Sequence, residues 1–453
     1  MKNILSILLM GIVAIGLSSC ATNKPLALNS ININKSMQVE PLDELIKQFN
    51  KTNNSLIPKS QFNKELSPSN IAELAVILNP KLKLDRYDLN LAEVNLEQSK
   101  LLPNPQINFS ISKPISGTLT NPYIGYGISP SFDVGSIIQR ATKVKIAQLE
   151  FESKKLQLKW DEWQTYEYAK LCALNFIILS NKLDLYKEIE HLNQEKYNHI
   201  YKAYKEGLIG QSEMLNAQSR LQQSELEVQT NEKLLNDSKS TIYQLLGLPY
   251  NYTLPINTRL KFKPLQNFKE EAQLLNNVQN RLDLIALRLA YESNEEKLRQ
   301  LSFSAFMPIS VSFPFLRDTS DIHTIGFGVS ISFPIFNQNQ DQIKYTQISG
   351  KKIYDEYINR IKNAQNDINK AMFNVKNINQ TYAVINKYFK TLQSKEVVYK
   401  EVFKTGNIGL LPYYDYKINL INQRLILLKL QQNLYNNLIA IEVSSGENLN
   451  IMD

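Results

Sequence analysis

Four short segments alternate strictly between apolar and small or polar positions. Ile107, Phe109 and Ile111 interleave with Asn108, Ser110 and Ser112. Ile124, Tyr126, Ile128 and Phe132 interleave with Gly125, Gly127, Ser129 and Ser131. Further on, Ile309, Val311 and Phe313 alternate with Ser310 and Ser312. Ile325, Phe327, Val329, Ile331, Phe333 and Ile335 alternate with Gly326, Gly328, Ser330, Ser332 and Pro334. Successive side chains on a strand point to opposite faces, so each segment predicts a strand with one apolar wall and one small, polar wall. The segments pair into two hairpins with surface loops over 113–122 and 316–324. The same alternation suits a half-buried soluble hairpin or an outer-membrane strand with lipid on one side and a lumen on the other.

Between and after the hairpins the pattern changes to spacing by seven. Leu149, Leu156 and Trp163, then Leu171, Ile178, Leu185 and Leu192, lie in a stretch from Ser136 to Glu206 without Gly or Pro. Heptad spacing predicts helices packed as coiled coil, and about 70 residues of helix extend roughly 105 Å. After Gly207 the chain turns, and Met214, Leu221, Val228, Leu235 and Ile242 run back to a stop at Leu246-Gly247-Leu248-Pro249. Gly followed by Pro just past a helix is a termination signal. The later hairpin leads into the same arrangement: helix from Asn337 to Thr405 with Gly350 as a candidate interruption, a turn at Gly406, and a return to Ser445-Gly446. Single shorter helices are expected before each β-hairpin, over 71–100 and 270–302.

The chain therefore contains one unit twice, offset by roughly 200 residues. Ile124-Gly125-Tyr126-Gly127-Ile128-Ser129-Pro130-Ser131-Phe132 corresponds to Ile325-Gly326-Phe327-Gly328-Val329-Ser330-Ile331-Ser332-Phe333. Asn79-Pro80 aligns with Asn280-Arg281, and Tyr204-Lys205-Glu206-Gly207 with Phe403-Lys404-Thr405-Gly406. The boundaries that follow are a signal peptide over 1–19, a tether over 20–67, repeats over 68–260 and 261–446, and a tail over 447–453. The fold class is mixed α and β: long helical coiled-coil hairpins plus four strands per chain, with an internal two-fold repeat.

The N-terminus changes the picture. Lys2, the apolar run Ile4 to Gly16 and the sequence Leu17-Ser18-Ser19-Cys20 resemble a secretory signal ending in a bacterial lipobox, with Cys20 as the lipidated first residue of the mature protein. Ala21, not Asp, follows it, which by analogy with lipoprotein sorting favours the outer membrane. Cys172, the only other cysteine, would then lack a disulfide partner and lies in an apolar helical stretch, as a buried inert thiol does. No later run of about 18 apolar residues could span a bilayer as a helix, so a crossing would need a closed barrel. Four strands are too few, since single-chain barrels need about eight. If these are membrane strands, copies must share one barrel, and two or three copies would each meet that requirement.

Composition removes other classes. The 43% hydrophobic and 21% charged content is that of a folded chain. The net charge of +8 is spread along the sequence without basic–aromatic clusters, which argues against nucleic acid. The three histidines, His191, His199 and His323, have no zinc spacing, His323 falls in an expected loop, and no phosphate loop or nucleophile elbow occurs. Neither catalysis, a cofactor nor a metal site is expected.

Several ordered motifs together resemble the TolC-type outer-membrane efflux proteins. They are Leu102-Pro103-Asn104-Pro105 before the first strand, Phe132-Asp133-Val134-Gly135 after the second, Tyr204…Gly207-Leu208…Met214-Leu215-Asn216-Ala217-Gln218, and Leu246-Gly247-Leu248-Pro249. The resemblance covers 67–446. It implies a homotrimer with a twelve-strand transmembrane barrel, a periplasmic helical tunnel, and docking to a periplasmic adaptor protein and an inner-membrane pump. It places the adaptor-docking tips at Gly207 and Leu208 and at Gly406 and Asn407, and a periplasmic gate at Glu213 and Asp415, with Ile408 where an arginine often sits. Glu213 and Asp415 equally suit first-turn carboxylates favoured by the helix dipole. The function implied is the outer channel of a tripartite efflux pump for drugs or metal ions. The Leu102-Pro103-Asn104-Pro105 segment is somewhat like metal-efflux members. A type I protein secretion channel and a structural periplasmic coiled-coil lipoprotein are the alternatives.

Overall fold

The computed structural model describes residues 27–38, 41, 44, 65–117, 123–258, 271–304, 309–405 and 408–449. The expected signal peptide, Cys20, most of the tether and the tip residues Gly406 and Asn407 lie outside them. The chain divides into two compact units, Met1–Lys51 and Thr52–Asp453. In the first, helix α1 (Ser30–Ser36) starts where the Asn29 side chain accepts from the Asn32 amide at 2.9 Å.

The second unit begins with helices α2 (Pro68–Leu78) and α3 (Pro80–Lys100). The single helix expected over 71–100 is thus broken at Asn79-Pro80. Proline has no N–H and its ring disfavours helical ψ in the residue before it, and Asn79 sits at ψ 121°. Both starts are capped. Ser67 and Asn70 form a reciprocal box around α2, and the Asn79 side chain accepts from Leu82 at 3.1 Å. The second repeat breaks at the aligned position without proline. Helix α6 (Glu271–Asn277) and a 3₁₀ turn (Val278–Asn280) give way at extended Arg281 to α7 (Leu282–Ser304). Arg281 is held there by two 3.0 Å bonds to Asp283, one of 3.0 Å to the Ser444 carbonyl, and the Trp160 ring 4.4 Å away.

Two long helical hairpins follow the strands. Helix α4 (Val134–Lys205) has 72 residues and returns as α5 (Gln211–Leu245); α8 (Gln340–Lys404) has 65 and returns as α9 (Leu410–Ser445). Gly350 does not interrupt α8. A Cβ there would lie 2.7 Å from the Asn294 side chain, which itself bonds the Thr346 carbonyl at 3.0 Å, so this glycine admits α7 close against α8. The helices bury a common core in which Leu174, Ile178, Leu185 and Leu192 of α4 meet Ile368 and Val375 of α8 and Leu434 and Leu438 of α9. Cys172 is buried, and that burial pushes its thiol pKa up.

The strands are β1 (Gln106–Ser112), β2 (Gly125–Asp133), β3 (Ile309–Ser312), β4 (Phe315–Arg317), β5 (His323–Ile325) and β6 (Gly328–Ile331). All pairings are antiparallel, and β2 lies between β1 on one side and β3 and β4 on the other. The pairs Ser312↔Gly328 and Phe315↔Ile325 share one register, as do Ser131↔Ser312 and Ile128↔Phe315. So β3 and β4 are two parts of one strand, and β5 and β6 two parts of another. The gap falls at Phe313-Pro314, where proline cannot donate to the ladder, yet Phe313 still donates to Pro130 and Gly326 to Pro314 at 3.0 and 2.9 Å. The second loop is shorter than expected, since Leu316, Arg317, His323 and Thr324 are in strands. Asp318 closes it, accepting from the Ser320 and Ile322 amides at 2.8 and 2.9 Å.

Candidate functional site

The pleat and the register together sort the sheet into two walls. Ile107, Phe109 and Ile111 face Pro130, Ile128 and Tyr126 across the β1–β2 ladder, and Phe315 faces Ile325. This wall is apolar and uncovered: Phe109 is 63% exposed, Ile111 76% and Ile325 76%. The other wall carries Asn108, Ser110, Ser112, Gly125, Gly127, Ser129, Ser131, Ser310 and Ser312. Small residues are needed there. A Cβ on Gly125 would lie 2.5 Å from Ser112 Oγ, one on Gly328 2.7 Å from Ser312 Oγ, and one on Gly127 would overlap Leu316 and Ser110. At these positions a larger residue would meet its cross-strand neighbour. Among the described residues, nothing pairs with the outer edge of β1 or of β5 and β6.

His323 and Arg317 stand opposite each other on the apolar wall at its loop end. Arg317 lies 4.9 Å from the Tyr123 ring and 5.7 Å from the Tyr126 ring, and its Nε is 2.6 Å from Asp321. An arginine with tyrosines at one end of an apolar band matches the level of a membrane–water interface.

At the far end of the helices, α4 closes with Gly207 at φ +75°. The Leu208 amide bonds the Ala203 carbonyl at 2.9 Å and the Gly207 amide that of Tyr204 at 3.0 Å, the pattern of a glycine-stopped helix. Nothing lies within 4 Å of a Cβ added at Gly207, and Leu208 is 71% exposed. Just behind this turn Glu213 and Asp415 line one concavity of ≈400 Å³ with Lys196, His199 and Arg220. Asp415 Oδ1 is 2.5 Å from Lys196 Nζ and 3.9 Å from Arg220 Nη1. Glu213 lies in the first turn of α5 and has no ion-pair partner among the described residues. Two stacked pairs, Tyr399–Tyr416 at 4.0 Å and Phe403–Tyr413 at 4.5 Å, tie α8 to α9 beside it.

A scan against protein-family models and a search of curated proteins gave no match. Solved structures do match. CusC, described in terms of folding and transmembrane channel formation, aligns over 87% of this chain and 96% of its own with TM-score 0.65 and 18% identity. The Campylobacter jejuni CmeC outer membrane channel aligns over 87% and 91% with TM-score 0.68 and 15% identity. The open-state Neisseria gonorrhoeae MtrE outer membrane channel aligns over 87% and 94% with TM-score 0.66 and 14% identity. This chain has the TolC-type fold. At such identities the likeness is one of fold, and the site must be argued from this chain's own residues.

Within the TolC-type fold, the structure brings Glu213 and Asp415 to one concavity and puts Gly207 and Leu208 at the exposed hairpin end. Sequence reasoning missed Lys196 and Arg220, and weighed His199 only as a metal ligand. Lys196 carried a legible signal. Leu185, Ile189, Leu192 and Ile200 are the buried stripe of α4, and Lys196 occupies a position within that stripe, its side chain only 10% exposed. A lysine in an apolar seam needs a counter-charge within reach, and Asp415, itself half exposed, supplies it at the edge of the seam. Arg220 carried no such mark.

Proposed function

We propose that this chain is the outer-membrane channel component of a tripartite efflux assembly, in which copies pool their strands into one transmembrane barrel. One observation carries the reading: a four-strand antiparallel sheet with an exposed apolar wall, a small polar wall and two open edges. In hydrocarbon each unpaired edge group would cost several kcal/mol, so the edges must meet those of other copies. Three copies give the twelve strands that the resemblance implies. Helix α3 supports the pooling. Leu84, Tyr87, Leu91 and Val94 form a 3–4–3 stripe along it, each more than half exposed, which is a coiled-coil seam awaiting a partner.

In this reading the helices line a tunnel, the chain is held in the outer membrane by strands and by lipid on Cys20, and it exports drugs or metal ions delivered by an inner-membrane pump. The adaptor docks at the tips, on Gly207 and Leu208 and on Gly406 and Asn407. Glu213 and Asp415 guard the opening behind them. Asp415 does so through its bond to Lys196, which ties α9 to α4. Asp415→Ala removes the tie and leaves Lys196 beside Arg220, two like charges. The expected result is a higher single-channel conductance in planar bilayers, with the oligomer intact; unchanged conductance would remove Asp415 from the gate. The reading as a whole is tested by the wild-type protein in the same bilayers, where absence of any conductance rejects it.

A further inference from the structure

Among the described residues, the polar wall of the sheet carries one charge. By register its strand positions are Gln106, Asn108, Ser110 and Ser112 on β1, Gly125 to Asp133 at alternate residues on β2, Ser310 and Ser312 on β3, Leu316 on β4, Thr324 on β5, and Gly328 and Ser330 on β6. Only Asp133 is ionisable. Its carboxylate lines a concavity of ≈380 Å³ where the strands meet the helices, among Asn104, Gln106, Ser131, Ser310 and Ser330. Among the described residues, no other lining that space is charged. The side chain is fixed, because it caps α4 by accepting from the Ser136 amide at 2.9 Å and the Ser136 hydroxyl at 2.5 Å. Those two bonds hold its pKa below the usual carboxylate range, against a small opposing effect of burial and with help from Lys143. Arg140, the nearest guanidinium along α4, is turned onto the carbonyl of Lys100.

We propose that Asp133 is the ion-discriminating group of the strand wall: repeated once per copy, it forms a ring of fixed negative charge at the junction of barrel and tunnel and favours inorganic cations over anions. The inference rests on the channel reading above. A ring of carboxylates biases a pore toward cations. In a wide barrel the bias is limited by screening. The Debye length is about 30 Å at 0.01 M salt and about 3 Å at 1 M, so the ring acts across the lumen only in dilute salt.

The test is the reversal potential of the full-length protein in planar bilayers under a KCl gradient, in dilute and in molar salt. Asparagine caps helices as well as aspartate, so Asp133→Asn keeps the cap and removes the charge; Asp133→Ser serves if the first variant does not assemble. The wild type is expected to prefer K⁺ over Cl⁻ in dilute salt and to lose that preference in molar salt. Asp133→Asn is expected to bring the permeability ratio toward unity in dilute salt while conductance persists. A conducting Asp133→Asn channel with the wild-type ratio overturns the proposal, and more sharply so if Glu213→Gln changes the ratio instead. A wild-type protein that never conducts rejects the channel reading itself.

Discussion

Glu167, Lys170 and Glu442 are the most deeply buried charged groups joining the two repeats. Lys170 Nζ lies 2.6 Å from Glu167 Oε2 on the same helix and 2.8 Å from Glu442 Oε2 on α9, with the side chains at most 4% exposed. Glu442 also accepts from the Leu449 amide at 2.7 Å and so holds the chain beyond α9. Two carboxylates facing one ammonium leave an excess negative charge, which a buried site resists by taking up a proton. Burial, and after it the Glu442 charge, pushes Glu167 up to about 8 from an ordinary 4.5. Burial alone would lower Lys170, but Glu442 and Glu167 outweigh it and raise its pKa. Between pH 4.5 and 8 the folded chain therefore keeps a proton that the unfolded chain releases. This group's contribution to stability is full below about 4.5 and is lost as pH rises toward 8. Glu167→Gln should abolish that part of the slope of thermal midpoint against pH. An unchanged slope would assign it to other groups. None of this was legible in the sequence, where Glu167 and Lys170 look like an ordinary surface pair three residues apart; only the fold brings Glu442 to them. Glycines divide in the same way. Gly207 and Gly247 were readable as helix stops, and both adopt positive φ, but only the structure shows that a Cβ at Gly247 would also lie 2.8 Å from Pro80.

At the scale of elements, period decided most of what could be read. Alternation gave the strands and their faces, and heptads gave the long hairpins, because both patterns record which side of an element is apolar. The errors fall where a local rule competes with that pattern. The break at Asn79-Pro80 was hidden inside a helical run, and its counterpart at Arg281 has no breaker residue at all; guanidinium bonds to Asp283 and to the Ser444 carbonyl hold it open. Phe333 and Ile335 continue the alternation but lie beyond β6, which ends at Ile331. The assignment of the two sheet walls leads to a prediction with the same charge on adjacent residues. Phe109→Arg puts a guanidinium on the wall assigned to lipid, where it costs about 2–4 kcal/mol near the bilayer midplane. Asn108→Arg puts it on the wall assigned to water. The first should abolish assembly and membrane insertion and the second should preserve both, as measured by outer-membrane fractionation and oligomer recovery. Equal tolerance of the two would mean that neither wall meets lipid.

For the whole molecule, the unsolved problem of the single chain is what lies against its edges. Among the described residues, the sheet ends on two open strands, its apolar wall is uncovered, and α3 shows an apolar seam to solvent. If the strands cross a membrane, the sequence already required pooling, since four strands cannot close. It left two or three copies open, because strand count alone is met by either. The twelve-strand trimer comes from the resemblance, and the matching structures share the fold.

The central claim is that copies of this chain complete one another. Native mass measurement of the full-length protein extracted from membranes in mild detergent tests it most directly. The account predicts a single species of three chains that persists on dilution; a stable monomer would contradict it.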